Sequence, residues 1–265
     1  MIASMRPEAL STFPIWASGL LITGVAVAGA VVVELIARRL VPMSVRETHN
    51  AVASAMFTVI GTTYAVLLAF VAMLAWDGSN HAQSVTQTEA SLTQSVYDLV
   101  GGITGPQGDP IRQDIVAYAT AVVGTEWPAM AAGIAVQADE PSLMDATQRI
   151  LRFRADNAGD AELRALLLGN LDRLGMARRE RLMAERTGIP PIVWYVLIGG
   201  GAITVAFGSF LAAPSLGMHL AMSSLLALSG GLVLLVIVAL SSPFRGEFRI
   251  TPEPFQQVLA RMPAP

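Results

Sequence analysis

The chain contains no cysteine and no lysine. The first absence excludes disulfides, thiol nucleophiles and cysteine-ligated metals. The second excludes a Schiff-base lysine and the lysine of a phosphate-binding P-loop. Charge of either sign is scarce: charged residues make up 14% of 265, where a soluble domain has about a quarter. A formal net charge of -3 gives no reason to expect a nucleic-acid partner. The three histidines, His49, His81 and His219, lie in separate segments without HxxxH or HExxH spacing, so no metal site is expected. GxSxG, a GxGxxG following a strand and a glycine-rich loop with lysine are all missing, which leaves neither an enzyme activity nor a cofactor to expect.

What the chain does contain is apolar surface, with 53% hydrophobic residues and a mean hydropathy of +0.55. The segment 51–76, AVASAMFTVIGTTYAVLLAFVAMLAW, carries no charge over 26 residues. At 1.5 Å per residue it makes roughly 39 Å of helix, enough to cross a hydrocarbon core about 30 Å thick with some tilt. Asn50, Ser54, Thr58, Gly61, Thr62, Ala65, Ala69 and Ala72 recur at three- and four-residue steps and form a small, hydroxyl-bearing stripe. Val66, Phe70 and Leu74 form an apolar ladder beside it, with Met73 at its side. Two readings stand. The stripe lets a neighbouring helix approach closely, or the helix lines a pore whose hydroxyls face ions or water and whose bulky rungs, from Thr62 through Met73 and Leu74, form a constriction.

Three further runs have the length and composition of membrane helices: 14–37, 190–213 and 218–240. The first resembles a secretory signal around Ala26-Val27-Ala28 but continues past it to Ile36, too long for a signal's apolar region. Glu34 in its last turns stands four residues before Arg38, the spacing of a local ion pair at the membrane interface. A polar loop is expected over 38–50. Trp194 and Tyr195 fall where aromatic belts sit. Gly199 to Ala202, with Ala206 and Ser209, give the third span a small face; Ser223, Ser224, Ala227, Gly230 and Gly231 do the same for the fourth.

Beyond Trp76 hydropathy falls, but the helical period persists through Val85, Leu92, Val96 and Leu99, so the second span should continue outside the bilayer to Gly101-Gly102. A turn-rich stretch from Thr104 to Pro110 follows. Helices are then expected over 110–124, 140–154 and 160–186, the last with Asp160 at its N-cap and a leucine stripe through Leu163, Leu167, Leu171, Leu174 and Leu182. The acidic pair Asp139-Glu140 reads as a solvated helix start. Residues 77–148 carry nine acids against one arginine, and 149–189 carry nine arginines against six acids, so these halves of the block should attract. Glu89 falls on an apolar face, where an unpaired carboxylate is costly, and is expected to meet Arg178 or Arg181 across packed helices as a structural or gating pair. A proline-rich tail, 241–265, is expected to lie along the block.

Four spans leave both termini on one side. Arg6, Arg178, Arg179, Arg181, Arg186, Arg245 and Arg249 flank that side, against Arg38, Arg39 and Arg46 opposite. The bias favours cytoplasmic termini and a cytoplasmic helical block, in a bacterial inner membrane.

Several words now stand in one order: GTTYAVLLAFVAMLAW (61–76), Glu89-Ala90 with Leu92, TEWPAM (125–130), ARRERL (177–182), GIPPIVW (188–194) and SPFRGEF (242–248). Together they resemble the bestrophin-like family of prokaryotic and plant membrane proteins, over roughly residues 50–255. The resemblance implies likeness to bestrophins, pentameric anion channels with four membrane helices and a cytosolic helical block between the second and third. It implies that Val66, Phe70 and Leu74 stand where the second helix narrows the bestrophin pore, and that small inorganic ions, chloride among them, are the partners, beside the lipid bilayer and further copies of the chain. Glu126, Trp127, Arg245 and Phe248 belong to the family's words without a role attached. The acidic calcium clasp of animal bestrophins has no counterpart here. The expectation is thus an all-helical, four-span oligomeric ion channel lined by its second helix. The rival is a non-conducting scaffold or signalling protein whose cytoplasmic helices recruit a partner.

Overall fold

The computed structural model describes residues 14–103, 106–137, 140–186 and 188–262. The leader 1–13 with Arg6, the start of the expected turn at Thr104, and Asp139 of the acidic pair lie outside these. Among the described residues every regular element is helical. The chain divides into two compact units, Met1–Gly78 with Gly188–Ser242, and Ser79–Thr187 with Pro243–Pro265.

The first unit holds α1 (Ile15–Leu40), the apolar part of α2 (Met43–Val100), α7 (Pro191–Gly208) and α8 (Leu216–Leu240), and all four helices are long and apolar enough to cross a membrane. Close packing here rests on small residues. Ser223, Ala227 and Gly231 form a buried row on α8, and a Cβ added to Gly231 would lie 3.3 Å from Thr23 of α1. On α7, Cβ atoms at Gly200 and Gly201 would each come within 2.8 Å of the Tyr64 ring or hydroxyl, so these glycines seat that side chain of α2. Leu68 and Val71 of α2 complete the contact against Leu197 and Ile237.

Two boundaries differ from the sequence reading. The polar stretch expected as a loop over 38–50 is almost wholly helical: α1 runs to Leu40 and α2 begins at Met43. Its polar residues fold into helix because they have partners inside the unit, Arg46 at Glu34 and Asn50 at the backbone N–H of Ala212. The third span, expected to reach residue 213, stops as a helix at Gly208. The chain there tightens into turns from Phe207 and Gly208, and Asn50 Oδ1 accepts from Ala212 N at 2.9 Å.

The second unit contains the rest of α2, then α3 (Gly108–Ala121), a wide π turn Val122–Glu126, α4 (Trp127–Ala131), α5 (Pro141–Arg152), α6 (Ala158–Arg186) and α9 (Glu253–Arg261). The helix expected over 110–124 therefore continues beyond its predicted end, with a change of pitch. Pro128 explains the change: it has no N–H to donate, and its ring would press on the carbonyl of Gly124 in a regular helix. The widened turn, in which Trp127 N–H reaches back to Val122 O, relieves that crowding. The N-cap of α6 is Asn157 rather than Asp160: Asn157 Oδ1 accepts from Asp160 N at 2.9 Å, and Asp160 reaches back to Asn157 Nδ2. The tail folds as amphipathic α9, whose Phe255 and Val258 enter a core shared with Ile115, Tyr118, Trp127, Leu167, Leu174 and Phe244.

Candidate functional site

Val66, Phe70, Met73 and Leu74 are exposed on α2, Phe70 at 63%, and Thr62 is exposed with them. Leu68, Val71 and Ala75, on the opposite face, are buried. The expected ladder therefore faces away from the rest of its unit. Tyr64 and Leu67 turn inward, and no formal charge stands between Ala51 and Trp76. Of the small stripe, Thr58, Ala65 and Ala69 are exposed with the ladder, whereas Asn50, Ser54, Gly61 and Ala72 are half-buried.

A second arrangement occupies the interior of the other unit. The side chains of Glu89 and Arg181 are 0% exposed, and those of Glu126 and Arg178 nearly so. Arg181 meets Glu89 through two bonds, Nε to Oε2 at 2.6 Å and Nη2 to Oε1 at 3.0 Å. Its Nη2 also donates to Glu126 Oε2 at 2.5 Å. Arg178, three residues earlier on α6, pairs with Glu126 rather than Glu89, with Nη2 at 2.7 Å and Nε at 3.1 Å from Oε1. Two carboxylates thus face two guanidiniums in a closed, neutral network. The Tyr118 hydroxyl donates to Glu89 Oε1, the Arg181 Nη1 donates to Met130 Sδ, and the Arg181 guanidinium lies 5.2 Å from the Trp127 ring centroid.

The electrostatics follow from that packing. Burial, with the Glu89 carboxylate as the next cause, pushes the Tyr118 phenol well above its ordinary range, so it remains a donor. Burial works against the charge on Arg181, but Glu89 and Glu126 outweigh it and hold the guanidinium above its usual value. Sequence reasoning placed Glu89 with the arginine cluster but missed three members. Glu126 is aimed inward by the π turn, Tyr118 falls at helical spacing from Ile111 and Ile115 and so looks like one more rung of an apolar face, and Met130 carried no signal.

The remaining motif residues support this unit. Arg245 Nη2 pairs with Glu185 at 2.6 Å beneath Gly133, whose φ of +73° turns the chain over the guanidinium. Trp127 Nε1 donates to Ile250 O at 3.0 Å, and its ring meets Phe244 edge-on. Phe248 is 66% exposed. It borders a groove of about 820 Å³ between α2 and the C-terminal segment, lined with glutamine, threonine and serine side chains.

A third cluster closes one end of the first unit. Arg38 Nε bonds Glu34 Oε1 at 2.8 Å, the expected four-residue pair, while its Nη2 reaches Ala213 O at 3.1 Å. Two further residues join them: Arg46 Nη1 at 3.5 Å and His219 Nδ1 at 3.1 Å from the same carboxylate oxygen. His219 had no visible partner in sequence because Glu34 stands on another span. No group of three or more His, Cys, Asp or Glu side chains suited to a metal occurs among the described residues.

Four helices of membrane-crossing length and apolarity, with no other regular element among the described residues, define a helical membrane protein. The chain belongs to the Bestrophin-like family, since residues 24–255 match the Bestrophin-like domain. Its fold is that of a bacterial Bestrophin homolog from Klebsiella pneumoniae. A tryptophan-to-alanine variant of that protein aligns with a TM-score of 0.69 at 14% identity, over 92% of this chain and 96% of the other. An isoleucine-to-threonine variant aligns at 0.68 and 14%, over 91% and 98%, and the form phased on zinc at 0.66 and 14%, over 89% and 96%. No curated protein sequence matches the chain.

Proposed function

We propose that this chain is the subunit of an oligomeric ion channel assembled around α2, with Thr62, Val66, Phe70, Met73 and Leu74 lining the conducting path. The observation that carries the reading is the outward face of α2. Only 11% of its most apolar stretch is buried within the chain, the least of the four candidate spans, and that face carries the uncharged ladder. Ions crossing such a constriction shed part of their hydration against methyl and ring surface. Membership of the Bestrophin-like family supports a channel rather than an enzyme, and the bestrophin likeness favours a pentamer and anions such as chloride. The arginine bias favours a bacterial inner-membrane placement with both termini and the Ser79–Thr187 segment cytoplasmic. The Glu89–Arg181–Glu126–Arg178 network acts as a brace that keeps that segment in one arrangement.

The test is ion flux through purified protein in liposomes, under chloride and sodium gradients separately, for wild type and Phe70→Ala. Flux that the substitution changes supports a path along the ladder, and the gradient that drives it gives the sign of the ion. A folded oligomer that passes neither ion refutes the proposal and leaves the scaffold reading.

A further inference from the structure

The cluster at Glu34 is unbalanced. One carboxylate faces two guanidiniums, Arg38 and Arg46, which both donate to its Oε1, and His219 Nδ1 stands 3.1 Å from the same oxygen. The Arg46 side chain is 1% exposed and that of His219 5%. Arg46 reaches Glu34 only through Nη1, at 3.5 Å; its Nε and Nη2 are buried with no hydrogen-bond partner among the described residues, and so is Glu34 Oε2. Arg38 divides its donors between Glu34 and the Ala213 carbonyl, and the second nitrogen of His219 lies 3.3 Å from Gly208 O. Glu34 is the only acid paired with these groups among the described residues. A buried guanidinium edge with its charge uncompensated is a costly arrangement unless an acceptor meets it.

We propose that a small monovalent anion binds at this end of the first unit, held by the Nε–Nη2 edge of Arg46. That edge presents two parallel N–H donors, the geometry that receives a two-oxygen acceptor such as nitrate or bicarbonate side-on and also lets one halide bridge both. One negative charge balances the cluster, since Glu34 already offsets one arginine. A cation is disfavoured because Arg38 and Arg46 flank the only carboxylate. The ligand class is therefore a compact, singly charged, hydrogen-bond-accepting inorganic anion. The site is static and does not rest on conduction, so it can be occupied in a protein that passes no ion.

The experiment is a thermal melt of the full-length purified oligomer, titrated with bromide or nitrate against gluconate at constant ionic strength. Wild type should show a saturable rise in melting temperature. Arg46→Gln should lose it, and Arg39→Gln, altering an exposed arginine on the same helix as Glu34, should keep it. Should Arg46→Gln fail to fold, anomalous diffraction from wild-type crystals grown in bromide decides: a peak within hydrogen-bonding distance of Arg46 Nε and Nη2 supports the site, and no peak there overturns it. A wild type indifferent to the anion, an equal rise in Arg46→Gln, or a carboxylate of a second copy seated on Arg46 also overturns it.

Discussion

Replacing Arg181 with methionine, which keeps an unbranched chain but removes the charge, is the sharpest probe of the interior network. Arg181 makes both bonds to Glu89 and one to Glu126, and lies over Trp127. In Arg181→Met, the Glu89 carboxylate keeps Tyr118 as its remaining partner, and two buried carboxylates share one guanidinium, Arg178. Removing one partner of a buried pair costs about 3–5 kcal/mol, most of it the desolvation of the charge left behind. At roughly 2–4 °C per kcal/mol for a domain of this size, the melting temperature should fall by about 10 °C. The assay is the oligomer peak by fluorescence-detected size exclusion after heating at one fixed rate. The second arm is Glu89→Gln combined with Arg181→Met. If the loss in the single variant is an orphaned charge, neutralising that charge should restore about 2 kcal/mol or more, a coupling typical of side chains in one network. An Arg181→Met protein within about 1 kcal/mol of wild type, or a double variant whose losses simply add, would refute the reasoning.

Two further outcomes follow from the same unit. Tyr118→Phe deletes one bond to a charged acceptor and should lower stability by about 1.5–3 kcal/mol at neutral pH. Because burial and Glu89 raise the folded-state pKa of the phenol above its unfolded value of about 10, its stabilisation is complete below pH 10 and is lost as pH rises beyond it. Melting curves between pH 9 and 11 should therefore show a steeper decline in wild type than in the variant. Gly133→Ala places a Cβ 2.8 Å from Arg245 Cζ at a φ of +73°. It should cost about 1–2 kcal/mol from backbone conformation alone and loosen the Arg245–Glu185 pair, measured as a melting-temperature drop smaller in an Arg245→Ala background.

Four helices long and apolar enough to cross a membrane were legible because long runs with almost no charge are rare outside such helices. Their ends were less so, because polarity at a helix end is ambiguous. Ser44, Arg46, Glu47, Thr48 and His49 read as a loop, yet they are helical in a chain where Arg46 has Glu34 to meet. The start of α6 misled for a similar reason: Asn157 and Asp160 are both cap-forming residues three apart, and only backbone geometry tells the cap from the side chain that reaches back to it. Glu89 could be found because a carboxylate on an apolar stripe demands a partner. Glu126 could not, since its inward aim is created by the π turn before Pro128, and the proline marks where the helix must change pitch without saying which side chain that change turns inward. His219 heads the row His219, Ser223, Ala227, Gly231, all buried at spacing four, but that regularity separates itself from ordinary small-residue packing only when Glu34 is seen opposite.

The ladder and the Glu34 cluster act on ions in different ways. The ladder carries no charge, so along it an ion meets a hydration barrier, which discriminates by size and hydration rather than by sign. Any preference for anions must come from fields at the ends of the path. Without a bound anion the Glu34 cluster carries a net positive charge, from two arginines and one carboxylate, and would attract anions toward that end. With one bound it is neutral and contributes little, leaving exposed Arg39 as the local cation. Arg46→Gln is neutral too, because Arg38 then balances Glu34. If the site is occupied in working protein, the substitution therefore leaves the chloride-to-sodium flux ratio near its wild-type value while abolishing stabilisation by bromide. A flux ratio that falls several-fold in Arg46→Gln, at bromide concentrations that saturate the stabilisation, would mean the cluster acts on ions as an open charge, and the bound-anion assignment would have to be withdrawn.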